Sequence, residues 1–379
     1  MFKVVIYSHD TFGVGHLSRA IKLSQAIMQK KKDAAIIIVT GTAVPNLIDL
    51  PAGVELIKLP SLKSIRGETI TYESFNTKIN PEEILKMRES ILLDIIKNFK
   101  PDLLLVDFSP KGVKNELVKS LEYIGKKLKT KKYITFRDII DDPNEVIAKW
   151  ERRNYESIFE RYYDKILIFG DKNINDFTKE YKLSDKISKK LHYLGYLVTE
   201  TKPKVADKSD KILVTVGGGR DGCEIINKFL ENFVKLGEFS RFTVEVICGP
   251  LSEKKFYENL ITKYSKFPKI KIIWNVKNLS ERMPNYDLIV SMGGYNSFCE
   301  ILSAKVPALI IPRETFEKEQ LIRAKIFQKL GIINYISLSE ITPEALEKKL
   351  NETLALSRTI EQNISKLNIQ GLENFKNVL

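Results

Sequence analysis

Two doubly wound α/β domains in one chain are predicted from three observations. Short β-branched runs alternate with longer amphipathic stretches along nearly all of the 379 residues. The runs are apolar at consecutive positions, as parallel strands covered on both faces are. The series pauses once, near residue 198, and then starts again.

In the first half, FKVVIYS (2–8), AAIIIVT (34–40), VELIKL (54–59), DLLLVD (102–107), KYITF (132–136) and KILIFG (165–170) read as strands. Helical patterns lie between them, such as 16–31 and 81–99, where Pro81 followed by Glu82 and Glu83 is a helix start signal. The stretch 198–210 is polar and lysine-rich and contains Pro203, which suits a linker. A second series follows: 211–219, 241–249, 269–276, 286–294, 306–312 and 333–338, with a helical tail over 342–368. Strand and helix in alternation give Rossmann-like sheets. The expected domains are 1–198, a linker at 199–210, and 211–379, with the last helix able to return to the first domain. Ligands of such sheets bind at the carboxyl ends of the strands, so two facing sheets would make a cleft.

Composition narrows the function classes. Hydrophobic residues make up 43% and charged residues 29%, which excludes global disorder. No uncharged apolar run reaches the roughly 20 residues needed to cross a bilayer. The opening residues, Lys3, VVIYS and then His9-Asp10, turn polar too soon for a signal peptide, so a cytoplasmic location is expected. The net charge of +13 attracts phosphates or anionic membrane surfaces. Only 13 of the 61 cations are Arg, and the Lys excess is spread along the chain, which disfavours base reading by a nucleic-acid binder. Cys223, Cys248 and Cys299 are far apart, and the His are only His9, His16 and His192. Neither a disulfide framework, a structural zinc site nor a His-rich metal centre can be built from them, and no cofactor is expected.

The chemistry concentrates at strand ends. FGVGHLSRA (12–20) follows the first strand: Gly13 and Gly15 free the backbone, and His16 opens the next helix, where N–H groups favour negative charge. His16 is a candidate proton acceptor or a solvated cap. His9, on the same loop, ranks behind it. Asp107 ends the run PDLLLVD and either orients an imidazole or caps a helix beginning near Gly112. In VTVGGGRDG (214–222), Gly217, Gly218 and Gly219 with Arg220 make a diphosphate cradle that is not a P-loop. In 286–327, Gly293 and Gly294 end a strand, Asn296 and Glu300 lie at the start of a helix, and Glu319 and Gln320 open another. Glu300 could reach a ribose or merely favour its helix N-terminus, and Glu319 could be a solvated charge.

Together these elements resemble the GT-B glycosyltransferases, above all the peptidoglycan N-acetylglucosaminyltransferase group and a related set of prokaryotic glycosyltransferases. The likeness rests on YSHDTFGVGHLSRA, PDLLLVD, FRDIIDDP and SMGGYNSFCEILSAKVPALIIPRE with EQLIRA. It implies that Glu300 binds the ribose, that Glu319 and Gln320 bind sugar hydroxyls, and that Gly217 to Gly219, Gly293 and Gly294 approach the diphosphate. It further implies that the Val276 backbone meets the base, and that His16 is the general base with Asp107 as its partner. Gly13, Gly15 and Arg137 of the FRD run fall on the acceptor side. The family's Asn-Ala is Arg323-Ala324 here, and FGVGH lacks the fuller glycine set.

The implied reaction moves a hexosyl group, N-acetylglucosaminyl or similar, from a UDP-sugar to an acceptor hydroxyl with inversion and without a metal. A lipid-linked acceptor fits the Lys excess, with 58–80 as an acceptor-side loop carrying Lys63 and Arg66, and a second basic cluster at Lys126, Lys127, Lys129, Lys131 and Lys132. A peripheral position on the inner membrane face follows from the same reading. The rivals are a nucleotide-sugar epimerase or hydrolase of the same fold, and a non-catalytic sugar-nucleotide binding protein.

Overall fold

The computed structural model describes residues 1–9, 15–47, 49–65, 71–75, 78–199, 210–314 and 317–379. These residues form two compact units. The first comprises 1–138, 143–195 and 370–379, and the second 139–142 and 196–369. The sequence-based linker at 199–210 lies almost wholly outside the described residues, as do Gly13, Asp10 and Arg66.

In the first unit the strands are β1 (Phe2–Ser8), β2 (Ala34–Thr40), β3 (Val54–Lys58), β4 (Leu62–Ile65), β5 (Thr71–Ser74), β6 (Leu103–Asp107), β7 (Lys131–Arg137), β8 (Lys165–Phe169) and β9 (Leu191–Tyr193). Seven of them make one parallel sheet in the order β3-β2-β1-β6-β7-β8-β9. Every residue of β6 is buried, so its LLLVD run is covered on both faces. The order reverses direction between β1 and β6, which makes their carboxyl ends the switch point where ligands of such sheets bind.

Three strands of this unit escape the sequence reading. The stretch 58–80, expected as a loop, contains β4 and β5 as an antiparallel hairpin. Leu62 of β4 is buried with Ile84 and Val113, and Tyr72 of β5 packs on that small cluster. Short β9 pairs with β8 where the sequence suggests only a pause. The helix Pro81–Phe99 starts as expected: the Asn80 side chain accepts from the Glu82 N–H at 2.9 Å with Pro81 at the first position. The last helix, Gly371–Asn377, packs on the helix Gly15–Lys30. It is anchored by Phe375 against Phe169 and by Asn374 donating to the Leu194 carbonyl at 2.8 Å.

In the second unit the strands are β10 (Lys211–Thr215), β11 (Thr243–Ile247), β12 (Ile270–Ile273), β13 (Leu288–Ser291), β14 (Ala308–Ile310) and β15 (Asn334–Tyr335). They form one parallel sheet, β12-β11-β10-β13-β14-β15, with the switch point between β10 and β13. Ile212, Val214, Val244, Val246, Leu288, Val290 and Leu309 join Phe229 and Phe233 of the helix Cys223–Phe233 in a continuous core. Each unit thus has a Rossmann-like sheet with a switch point of its own.

Candidate active site

His16 lies in the first turn of the helix Gly15–Lys30, just beyond β1, and Asp107 ends β6. The two therefore flank the switch point of the first sheet. His16 Nδ1 is 2.6 Å from Asp107 Oδ2. Arg19, one turn further along the helix, holds both carboxylate oxygens from Nη2 at 2.7 Å and reaches Oδ1 again from Nε at 3.2 Å. Thr135 of β7 donates from Oγ1 to Oδ1 at 2.9 Å. The Asp107 oxygens are committed to these partners, so its alternative role as a cap for a helix near Gly112 is not the one observed.

Asp107 is buried while the His16 side chain is 24% exposed. Burial by itself would raise the Asp107 carboxyl. The Arg19 guanidinium, with His16 and its hydrogen bond, overcomes this and holds the group well below the usual carboxylate range. An ionised carboxylate only accepts hydrogen bonds, so the short contact puts a hydrogen on His16 Nδ1, and in the neutral ring the free electron pair is then on Nε2. This is the tautomer a general base needs.

An aromatic wall surrounds the pair. Phe108 has φ +66°, a costly left-handed conformation for a bulky residue. Its ring stands 5.8 Å from His16, 6.2 Å from His9 and 6.1 Å from Phe136. Arg137, at the end of β7, lays its guanidinium over the same ring at 5.4 Å. The His9 ring meets His16 edge-on at 5.9 Å. Burial, reinforced by His16, pushes the His9 imidazole down to about 3, which suits an uncharged wall residue rather than a base. Below the wall, Tyr7 donates to Glu116 at 2.6 Å. Buried Arg88 clasps Glu116 through two bonds and donates to the Pro60 carbonyl at 2.8 Å. Gly15 is exposed at the start of the helix.

In the second unit the glycine turn after β10 is stitched to its neighbours. The Gly218 carbonyl accepts from Leu251 N–H at 2.9 Å, and the Gly219 carbonyl accepts from Ser252 Oγ at 3.1 Å. Gly249 N–H in turn donates to the Trp274 carbonyl at 2.9 Å, which links the loop carrying Val276. Gly219 has φ +90°, and a Cβ there would lie 2.3 Å from the Cys248 carbonyl, so only glycine fits. The Gly217 N–H faces back to Thr215 Oγ1 at 3.4 Å. Arg220 extends outward, partly exposed, 3.9 Å from Asp221.

Across the switch point, Gly293 and Gly294 precede the helix Tyr295–Ala304, which carries Asn296 in its first turn and half-buried Glu300 in its second. The Ser297 hydroxyl approaches Gly217, so these two strand-end segments adjoin. Glu319 and Gln320 do open a helix, Glu319–Lys329, but both are buried and internally engaged. Gln320 Oε1 accepts from the Arg313 N–H at 2.9 Å, and Glu319 lies 3.8 Å from Arg323. Glu319 as a solvated charge is therefore excluded. Arg313 also donates to Asp221 at 2.8 Å, joining the loop after β14 to the glycine turn. Val276 is half-buried beyond β12. Among the described residues no group of three or more His, Cys, Asp or Glu is gathered as a metal site requires, and no helix is long and apolar enough to cross a membrane.

Sequence reasoning missed Arg19, Thr135, Phe108 and Arg313. Only Arg19 carries a readable signal, since a residue three places after His16 shares its helix face.

Two Rossmann-like units define the class: the fold is that of the GT-B glycosyltransferases. Residues 212–379 match the glycosyltransferase family 28 C-terminal domain. The chain is 24% identical over 372 residues to a UDP-N-acetylglucosamine--N-acetylmuramyl-(pentapeptide) pyrophosphoryl-undecaprenol N-acetylglucosamine transferase of Finegoldia magna, covering 93% of this chain and 91% of that one. It is 28% identical over 243 residues to the uncharacterized protein MJ1062 of Methanocaldococcus jannaschii, covering 60% of this chain and spanning 44% of that relative's length. The crystal structure of MurG from Acinetobacter baumannii shares the fold, with a TM-score of 0.64 at 13% identity over 100% of this chain and 99% of that one. Within the GT-B class, the chain resembles the peptidoglycan N-acetylglucosaminyltransferase group.

Proposed function

We propose that this protein transfers a hexosyl group, N-acetylglucosaminyl or similar, from a UDP-sugar to an acceptor hydroxyl with inversion. The observation that carries the reading is the 2.6 Å contact between His16 and Asp107 at the switch point of the first sheet. His16 Nε2 takes the proton of the acceptor hydroxyl as its oxygen attacks the anomeric carbon. The bond from that carbon to the diphosphate oxygen breaks, and its electron pair leaves with UDP. Asp107 remains ionised and stabilises the imidazolium that forms. Glu300 binds the ribose, Val276 the base, and Glu319 and Gln320 the sugar hydroxyls. To reach the sugar, Gln320 keeps its carbonyl on Arg313 and offers its amide nitrogen, which already lies near Gly294. Gly217 to Gly219, Gly293, Gly294, Asn296 and Arg220 meet the leaving diphosphate, where helix N–H groups and a guanidinium stabilise charge without a metal.

The Finegoldia magna relative is named for a UDP-N-acetylglucosamine donor and a pyrophosphoryl-undecaprenol acceptor. That name, with the net charge of +13, supports a lipid-linked acceptor met at an anionic membrane surface by a cytoplasmic, peripheral protein.

The test incubates the protein with a panel of UDP-sugars and lipid-linked or soluble alcohols, with and without EDTA, and detects products by mass spectrometry. Transfer that survives EDTA, disappears in His16→Ala and leaves UDP binding intact supports the reading. UDP binding with no product from any pair, or a product formed equally by H16A, overturns it.

A further inference from the structure

Asp107 is shared. Its Oδ2 lies 2.6 Å from His16 Nδ1 and 2.7 Å from Arg19 Nη2, and that same Nη2 stands 3.0 Å from His16 Nδ1. Since Nδ1 carries a hydrogen, the approach of Nη2 is one of two donors meeting over a common acceptor rather than a bond between them. Arg19 is 3% exposed, so its charge is poorly screened by water.

A carboxylate alone beside an imidazole draws a second proton onto the ring and costs the base its free electron pair near neutral pH. A guanidinium against the same ring acts in the opposite direction. The geometry points to Arg19 as a positioning residue that keeps His16 unprotonated while Asp107 fixes its tautomer. The inference rests on His16 being the proton acceptor of the proposed reaction.

The other groups facing His16 bring no second cation into contact with its ring among the described residues. On β6 the facing group is Asp107 itself. His9, at the end of β1, is uncharged at neutral pH because burial pushes it down to about 3. Arg137, at the end of β7, lies over the Phe108 ring, which also lines His16. Arg19 is the cation in direct contact with the ring among the described residues.

The experiment follows the His16 imidazole by NMR titration in the full, unliganded chain, comparing wild type, Arg19→Gln and Arg19→Lys. R19Q keeps hydrogen bonds to Asp107 and removes the charge, so His16 takes its proton about one pH unit higher. R19K stays with wild type. The acid limb of kcat/KM for UDP-sugar transfer moves up in parallel in R19Q, whereas a merely structural Arg19 lowers activity without moving the limb. Should R19Q not fold, Asp107→Asn and the double variant R19Q/D107N are compared, since only the Arg19 charge differs between them and no unpaired buried carboxylate remains. The double variant then protonates at the higher pH. Coincident titrations in both comparisons, or a downward shift, overturn the inference. A shift in the titration with no transfer from any UDP-sugar leaves the Arg19 relationship standing and removes the proposed reaction instead.

Discussion

Arg323 donates from Nη1 to the carbonyl of Gly293 at 3.0 Å, although its side chain is only 1% exposed. It also stacks over Tyr295 and Phe298 at 5.8 and 5.9 Å and pairs with Glu319. The position where the resembling family carries Asn is thus a buried brace for the turn after β13. Arg323→Met leaves Glu319 as a buried carboxylate without its cation and the Gly293 carbonyl without this donor, which costs about 3 kcal/mol. Urea unfolding measures the loss, and calorimetry with UDP shows weaker binding. A variant as stable as wild type would show that the brace is dispensable.

The glycine turn after β10 makes a stricter prediction. Gly219→Ala places a Cβ 2.3 Å from the Cys248 carbonyl at φ +90°, where backbone rather than a flexible side chain must move. The strain is about 2 kcal/mol or more. Because the Gly218 and Gly219 carbonyls are bonded to the loop at Leu251 and Ser252, the displacement spreads to the strand ends. Thermal unfolding and UDP titration should fall together. Gly237→Ala, where an added Cβ meets nothing within 4 Å, is the control that leaves UDP binding unchanged.

What the sequence reveals and conceals follows from how each feature is encoded. The parallel strands are legible because runs such as LLLVD are buried on both faces and need no alternation to be recognised. The β4-β5 hairpin is not, since of LKSI only Leu62 is buried and its partner strand is polar. His16 and Asp107 could be named because each directly follows or ends a strand. Arg19 could not be assigned a role, because its burial depends on Asp107, 88 residues away in sequence, arriving at the adjacent strand end. Glu319 and Gln320 are legible as the start of their helix, but their burial against Arg323 and Arg313 is a tertiary fact that no local pattern encodes.

Asp107→Asn separates charge from shape. The amide keeps the size of the carboxylate but cannot hold His16 in the right tautomer and stabilise its charge, so kcat falls about 10³-fold or more. Arg19 is left buried without a counter-charge, at a cost of about 3 kcal/mol. KM for the UDP-sugar changes little, because Asp107 does not belong to the unit assigned to the sugar nucleotide. Steady-state kinetics at fixed acceptor check the split. A large rise in KM with unchanged kcat would instead assign Asp107 to binding.

Acid unfolding is expected in two ranges with different origins. His9 is held down to about 3 in the folded chain from an ordinary value of 6.5, chiefly by burial. Between those values the unfolded chain binds the extra proton, so stability falls as pH drops through this window and is fully present above it. The Asp107 carboxyl is depressed below its ordinary 3.8 by Arg19 and His16 against the opposing effect of burial. Its contribution is present above 3.8 and is lost only as pH falls further, toward its folded value. His9→Gln should therefore flatten the decline between pH 6.5 and 3 and leave the steeper loss below 3.8 in place. Urea midpoints measured from pH 7.5 to 3 in wild type and H9Q test this. A decline in H9Q as steep as in wild type between pH 6 and 4 would assign the upper range to other groups.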